Sequence, residues 1–166
     1  MNKPAVFLDR DGVINVDKGY IFKALDFEWI DGAQEAIKFL RNYGYYVFIV
    51  TNQSGITRGY YTENDVKKLH QYVNKELKKI RTKIDDFFYS PYHPEIFNKK
   101  YDHLENLRKP KTGMLELAHK KWSLDKKNSF LIGDKKSDID CAKNFNINGY
   151  LFEDTNLLNF VKKIIL

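Results

Sequence analysis

Two aspartates one residue apart, Asp9 and Asp11, close the apolar run Ala5-Val6-Phe7-Leu8, and Gly12 follows them. A short apolar run of this kind reads as a buried β-strand. In an open parallel sheet, chemistry gathers beyond the carboxyl ends of the strands. An Asp placed there can attack phosphorus and carry an aspartyl-phosphate. A second Asp two residues on can protonate a leaving oxygen and then activate water. The pair also makes a hard, oxygen-rich site that suits Mg²⁺. By itself, D-x-D-G reads equally well as a polar turn after a strand.

Three further segments carry matching chemistry. The β-rich run Tyr45 to Val50 delivers Thr51-Asn52-Gln53-Ser54-Gly55, whose hydroxyl and amide groups can hydrogen-bond phosphate oxygens. Arg108-Lys109-Pro110 supplies two cations just before a helical pattern. Ser129 to Ile132 runs into Gly133-Asp134-Lys135-Lys136-Ser137-Asp138, which returns carboxylates for a metal. Each piece alone has an ordinary reading as a loop, a solvated pair or a turn. A nucleophile, a hydroxyl donor, a cation and a further acid, each at a strand end or helix start, compose a phosphoryl-transfer site.

The elements that must position these groups alternate along the chain. Strands are expected over 5–9, 45–50, 87–89, 129–133 and 148–152. Asp31 reads as the N-cap of a helix with Ala33, Ala36, Ile37, Phe39 and Leu40 at helical spacing, stopped by Tyr43-Gly44. Thr62 caps a longer helix in which Val66, Leu69, Tyr72, Val73, Leu77 and Ile80 recur on one face. Further helices are expected over 113–121, 135–145 and 156–165. The alternation implies an α/β fold, a central parallel sheet with helices on both faces, in a single domain over 1–166. Residues 90–107 form a long connection with no periodicity, and such loops are usually functional or disordered. Only 15–30 could form a flap over the first strand, so no large cap domain is expected.

Bulk properties narrow the classes. The 166 residues, 43% hydrophobic and 30% charged, suit a soluble domain with a proper core. No apolar run approaches the ~20 residues a membrane span requires. Met1-Asn2-Lys3-Pro4 lacks a signal-peptide core, and a single Cys141 fits a reducing compartment, so a cytoplasmic monomer without membrane partners is expected. Cys141 reads as a buried small hydrophobe on a helix rather than a nucleophile. The net charge of +6 favours acidic partners, but paired lysines such as Lys67-Lys68 and Lys78-Lys79 read as solvated helix faces.

With these residues in view, the chain resembles the haloacid dehalogenase-like (HAD) phosphatases over nearly its whole length. Asp9-x-Asp11 is similar to their first motif, Thr51 to the second, Lys109 to the third, and Gly133-Asp134-x-x-x-Asp138 to the fourth. The histidinol-phosphatase-like branch is the nearest match, and within it the heptose bisphosphate phosphatases. The matching stretches are Asp9-Arg10-Asp11-Gly12-Val13-Ile14-Asn15, Gly19-Tyr20, Thr51-Asn52-Gln53-Ser54-Gly55-Ile56 with Arg58-Gly59, and Arg108-Lys109-Pro110-Lys111-x-Gly113-Met114.

The resemblance implies a HAD-like Rossmannoid three-layer α/β/α sandwich. It implies Asp9 as nucleophile, Asp11 as acid and base, and Thr51 and Lys109 as holders of the phosphoryl oxygens. Mg²⁺ would be bound by Asp9, by Asp11 through its backbone carbonyl, and by Asp134. Asp138 would orient this group or act on the metal through water, with a plain helix-start acid as the other reading. Asp17, Lys18, Gly19, Tyr20, Asn52, Gln53, Ser54, Arg108 and Lys135 would lie along the substrate, a small phosphorylated sugar. A heptose 1,7-bisphosphate is the expected substrate and histidinol phosphate the alternative. A nucleic-acid 3′-phosphatase is a weaker one, because no cluster of cations and aromatics marks a strand-binding groove. The branch holds a structural zinc through cysteines and a histidine. Ser90, Tyr92, Glu105 and Leu107 stand at those places here, so no structural zinc is expected.

Overall fold

A computed structural model describes residues 2–166. Five parallel strands form one sheet: β1 (Ala5–Leu8), β2 (Tyr46–Asn52), β3 (Asp86–Ser90), β4 (Phe130–Gly133) and β5 (Asn148–Leu151), in the order β3-β2-β1-β4-β5. Every residue of β1 and β4 is buried. That is why these strands read as continuous apolar runs rather than as alternating ones.

Five α-helices cover the two faces: α1 (Ala33–Asn42), α2 (Glu63–Lys78), α3 (Gly113–Trp122), α4 (Lys136–Asn144) and α5 (Leu157–Ile165). Val6, Leu8 and Ile49 pack on one face with Leu40 of α1, Leu69 and Val73 of α2, and Val161 of α5. Phe7, Phe48 and Leu131 pack on the other with Leu115 and Ala118 of α3 and Ala142 of α4. This is a three-layer α/β/α sandwich. The connection between β1 and α1 carries only a short 3-10 turn (Ala24–Asp26) and two isolated bridges, Asp11 to Asn15 and Asn15 to Trp29. No large cap is inserted there.

From β1 the chain steps outward to β2 and β3, then returns to the other side of β1 with β4 and β5. The order therefore reverses between β1 and β4, and ligands bind in the crevice that such a reversal opens at the carboxyl ends. Asp9 and Asp134 are the residues just past those two ends, and Asp9 N donates to Ile132 O at 3.0 Å.

Local signals locate most boundaries. Thr62 caps α2 with a full capping box, its Oγ1 accepting from Asp65 N while the Asp65 carboxylate accepts from Thr62 N. Asn156 caps α5 by accepting from Asn159 N at 3.0 Å. Asp31 is not the cap of α1. The cap is Gly32, in a left-handed conformation without a side-chain bond, and Asp31 contributes its main-chain oxygen to Leu157 N instead. The long connection after β3 is ordered by its own contacts. It carries a 3-10 segment (Asp102–Leu107), and Tyr101 packs with Ile56, Tyr61 and Val66. The Tyr101 hydroxyl donates to Glu63 at 3.4 Å, and the Tyr89 hydroxyl donates to the same carboxylate at 2.7 Å.

Candidate active site

Lys109 is the centre of the constellation. It is buried, and its Nζ donates to Asp9 Oδ1 at 3.0 Å, Val50 O at 2.8 Å and Asp138 Oδ1 at 2.6 Å. Three acceptors satisfy the three donors of an ammonium. Asn52 at the end of β2 fixes the main chain around it: Asn52 Oδ1 accepts from Lys109 N at 3.0 Å, and Asn52 Nδ2 donates to Lys109 O at 3.1 Å. Asp138, 1% exposed, has its second oxygen on Lys135 N, so this carboxylate both caps α4 and orients Lys109.

Asp9, Asp134 and Asp138 each place a carboxylate oxygen within 4.8 Å of the others. Asp134 Oδ1 is buried and accepts no hydrogen bond. An orphaned buried carboxylate oxygen beside two more acids is what a hard divalent cation fits. The charges agree. Burial, followed by the neighbouring Asp138, Asp134 and Asp11, pushes the Asp9 carboxyl up to about 8 despite the opposing pull of Lys109. Asp134 is raised as well, mainly by burial. The cluster is thus short of positive charge, and a cation at Asp9 and Asp134 would make both anionic.

Asp11 stands apart from that cluster. Its Oδ1 accepts from Asn15 Nδ2 at 2.9 Å and its Oδ2 from Gln53 Nε2 at 3.0 Å, while Arg10 Nη2 donates to both oxygens at 3.2 Å. Its carboxylate is thus fixed by three side chains and is not part of the Asp9, Asp134 and Asp138 group. Gln53 Nε2 also donates to Thr51 Oγ1 at 2.8 Å, and Tyr61 OH donates to Gln53 Oε1.

A cleft of about 460 Å³ opens over this centre, lined by residues from four connections. They include Asp11, Asp17, Gly19 and Tyr20, then Asn52, Gln53 and Ser54, then Arg108 and Lys109, and finally Lys135.

A model of the family described as "Polynucleotide kinase 3 phosphatase" matches residues 6–162. The chain is 42% identical over 164 residues to the D-glycero-beta-D-manno-heptose-1,7-bisphosphate 7-phosphatase of Rhodopseudomonas palustris, covering 99% of this chain and 91% of the relative. It is 46% identical over 149 residues to the D-glycero-alpha-D-manno-heptose-1,7-bisphosphate 7-phosphatase of Campylobacter jejuni, covering 89% and 80%. The crystal structure of D,D-heptose 1,7-bisphosphate phosphatase from B. bronchiseptica, complexed with magnesium and phosphate, superposes with a TM-score of 0.79 at 25% identity over 97% of this chain and 86% of that one. The chain belongs to this family of HAD phosphatases.

Within the HAD phosphatase frame, the structure gives each expected residue a place. Asp17 Oδ1 accepts from Gly19 N at 3.0 Å, and its Oδ2 lies 4.0 Å from Lys135 Nζ. Lys18 does not join the cleft lining, and its Nζ pairs with Glu28 at 2.7 Å. The side-chain amides of Asn52 and Gln53 line the cleft and are engaged within the protein, with Lys109 and with Asp11 and Thr51. Ser54 Oγ accepts from Arg58 Nε at 3.3 Å, and Arg108 Nη1 donates to Tyr92 O at 3.3 Å. The nearby Arg58 and half-burial both lower the Arg108 guanidinium from its usual value, burial more strongly. Both guanidiniums are thus held by neutral oxygens, with no carboxylate partner among the described ion pairs. Arg58, Arg10 and Asn15 enter the sequence motifs without a role of their own, and the structure gives them partners in Ser54 and Asp11, as it gives Asp138 one in Lys109. Motif order gives no sign of a side-chain partner. Cys141 is buried with its thiol on Lys111 O, and burial pushes it up to about 12, so it is no nucleophile.

No helix among the described residues is long and apolar enough to cross a membrane.

Proposed function

We propose that the chain is a Mg²⁺-dependent phosphatase that converts a D-glycero-D-manno-heptose 1,7-bisphosphate to the 1-phosphate through an aspartyl-phosphate on Asp9. The observation that carries this reading is the placement of Asp9 between Lys109 and the orphaned Asp134 carboxylate, with Asp11 held beside it by independent donors. The named relatives supply the substrate class.

Arg10 N and Lys109 Nζ hold Asp9 Oδ1, which leaves Oδ2 to attack phosphorus in line. Asp11 gives its proton to the leaving sugar oxygen as the ester P–O bond breaks. It then takes a proton from the water that attacks the aspartyl-phosphate and restores Asp9. Thr51 and Lys109 take the transferring oxygens, Lys109 by giving up one of the three hydrogen bonds it makes within the protein. Asp9 and Asp134 side chains and the Asp11 main-chain carbonyl would bind Mg²⁺. The bound ion neutralises charge so that one anion can approach another. Asp17, Gly19, Tyr20, Ser54 and Lys135 line the path of the sugar, with Lys18 at its outer edge. Arg108, with Arg58 beside it, takes the distal phosphate, because a guanidinium matches phosphate in a fork. One HAD domain over 1–166, acting in a reducing cytoplasm, completes the reading.

Asp9→Asn tests it. The amide keeps the shape and loses the anionic nucleophile, so turnover of the heptose bisphosphate in Mg²⁺ should fall by several orders of magnitude. Asp11→Asn should lose ~10²–10⁴-fold, the usual share of a positioned acid and base. Histidinol phosphate and an oligonucleotide 3′-phosphate, assayed beside the heptose, identify the rivals. A higher kcat/KM on either would overturn the substrate assignment.

A further inference from the structure

The acid and base of the proposed reaction is gripped by a residue with an unusual environment. Arg10 lies between Asp9 and Asp11 in sequence and is 0% exposed. A guanidinium so deeply buried needs acceptors on all sides. Arg10 Nη2 donates to both Asp11 oxygens at 3.2 Å and to Ile21 O at 2.7 Å. Its other terminal nitrogen, Nη1, lies 3.3 Å from His70 Nε2. Arginine has no acceptor, so the contact requires Nε2 to be the unprotonated nitrogen and the imidazole to be neutral.

His70 sits in the middle of α2, 60 positions from Arg10, and is itself buried. Its ring stacks on Phe87 of β3 with centroids 4.5 Å apart and planes 14° apart. The ring is thereby clamped between helix and strand, and its Nε2 is presented to Arg10. Burial and the Arg10 charge both hold its pKa well below the ordinary histidine value, which keeps the acceptor available across the working pH range.

We propose that His70 and Arg10 are positioning residues for general acid and base catalysis: the imidazole fixes the guanidinium, and the guanidinium fixes the Asp11 carboxylate against the leaving oxygen. The contact couples the proton-transferring side chain to the helix that packs across the sheet. A buried histidine stacked on an aromatic ring also has a plain packing role, and the experiment must separate the two. The inference rests on the phosphatase reading above.

Two substitutions divide the functions of the ring. His70→Phe keeps a flat ring to stack on Phe87 and removes the acceptor. His70→Gln loses the stack and keeps an acceptor oxygen at the position of Nε2. Turnover in Mg²⁺ is measured on two esters, the heptose bisphosphate with its poor alkoxide leaving group, and p-nitrophenyl phosphate, whose leaving group departs without a proton. kcat/KM reports the steps through formation of the aspartyl-phosphate, where the acid acts on the leaving group. For the sugar ester His70→Phe should lower it by about tenfold, part of the ~10²–10⁴ that a placed acid contributes. For p-nitrophenyl phosphate it should stay within about twofold, because that step needs no acid. His70→Gln should recover most of the loss. KM for the sugar ester should hold, because His70 touches no substrate. Arg10→Lys keeps the charge but cannot reach Asp11, Ile21 and His70 together, and should show the same dependence on leaving group even if His70→Phe fails to fold. Phe87→Leu should lower the melting temperature and, because the acceptor stays, move the ratio between substrates less than His70→Phe does. Equal losses on both esters, or a His70→Gln protein no better than His70→Phe, would overturn the assignment. A wild-type protein that turns over neither ester would instead refute the phosphatase reading itself.

Discussion

Gly12 has the sharpest structural consequence for the metal site. Its φ is +90°, and a Cβ built there would lie 2.1 Å from Asp134 Oδ2 and 2.6 Å from Asp134 Cγ, where ordinary contact begins at 3.4 Å. Gly12→Ala therefore has two separable effects. Backbone strain at a left-handed residue costs about 1–2 kcal/mol. In addition, Asp134 must withdraw by more than about 1 Å, and a misplacement of that size at a reacting centre costs roughly 10²-fold in rate. Gly44→Ala isolates the first effect, since Gly44 has φ +105° with nothing within 4 Å of its added Cβ. Thermal unfolding in chelator should show both variants melting roughly 2–8 °C below wild type. Titration with Mg²⁺ should then raise the melting temperature of wild type and Gly44→Ala alike, and leave Gly12→Ala nearly unmoved. Turnover of Gly12→Ala should be lower by about 10²-fold with a weaker Mg²⁺ midpoint. A Gly12→Ala protein with a wild-type Mg²⁺ response would refute both the metal assignment of Asp134 and the close approach on which it rests.

Adjacent cations should respond differently. Lys109→Ala removes the shared partner of two buried carboxylates, so kcat should collapse and stability fall by about 3–5 kcal/mol, as when a buried pair loses one member. Arg108→Ala should mainly raise KM, and more for the heptose bisphosphate than for a small monophosphate; equal effects on the two would remove the distal-phosphate role. The depressed pKa of His70 makes a pH prediction for stability. The unfolded chain takes up a proton near pH 6.5 that the folded chain refuses, so this group destabilises the protein as pH falls below 6.5. Chemical denaturation at pH 7 and pH 5 should show that loss in wild type and a smaller one in His70→Gln.

The parallel sheet was legible because strands buried on both faces are uninterrupted apolar runs, and Phe7-Leu8 and Leu131-Ile132 can be little else. Asp9, Thr51 and Asp134 were legible because each closes such a run, and Lys109 because it stands just before a helical pattern. The structure extends β2 to Asn52, two residues past the expected end, because Thr51 and Asn52 still pair with Tyr89 and Ser90. Asp31 has the chemistry of a cap but stands one residue too early, because the chain turns into α1 through Gly32. Contacts between distant positions left no local trace. Asn52 meets Lys109 across 57 positions and His70 meets Arg10 across 60, and neither distance corresponds to a helical or strand period. Only packing α2 and the 90–107 connection onto the sheet creates them. The amides of Asn52 and Gln53 line the cleft and also bond inward to Lys109 and Asp11, and a motif shows composition without that second direction.

Overall charge was equally silent about the centre. The chain carries +6, yet four carboxylates, those of Asp9, Asp11, Asp134 and Asp138, gather near one lysine and one arginine at the strand ends. Further cations lie further out, where Arg108 and Lys135 line the cleft and Arg58 is bonded to Ser54 of its lining. An anionic ester drawn in by that outer layer meets a centre that, without a cation, would repel it. On the proposed reading, this order of charge would make turnover depend on the divalent ion twice over, for holding the phosphate and for keeping Asp9 ionised. Binding and chemistry should separate on this account. Phosphate analogues should still associate weakly with the metal-free protein through Arg108 and Arg58, in a manner that fades with ionic strength, while turnover should require the ion absolutely.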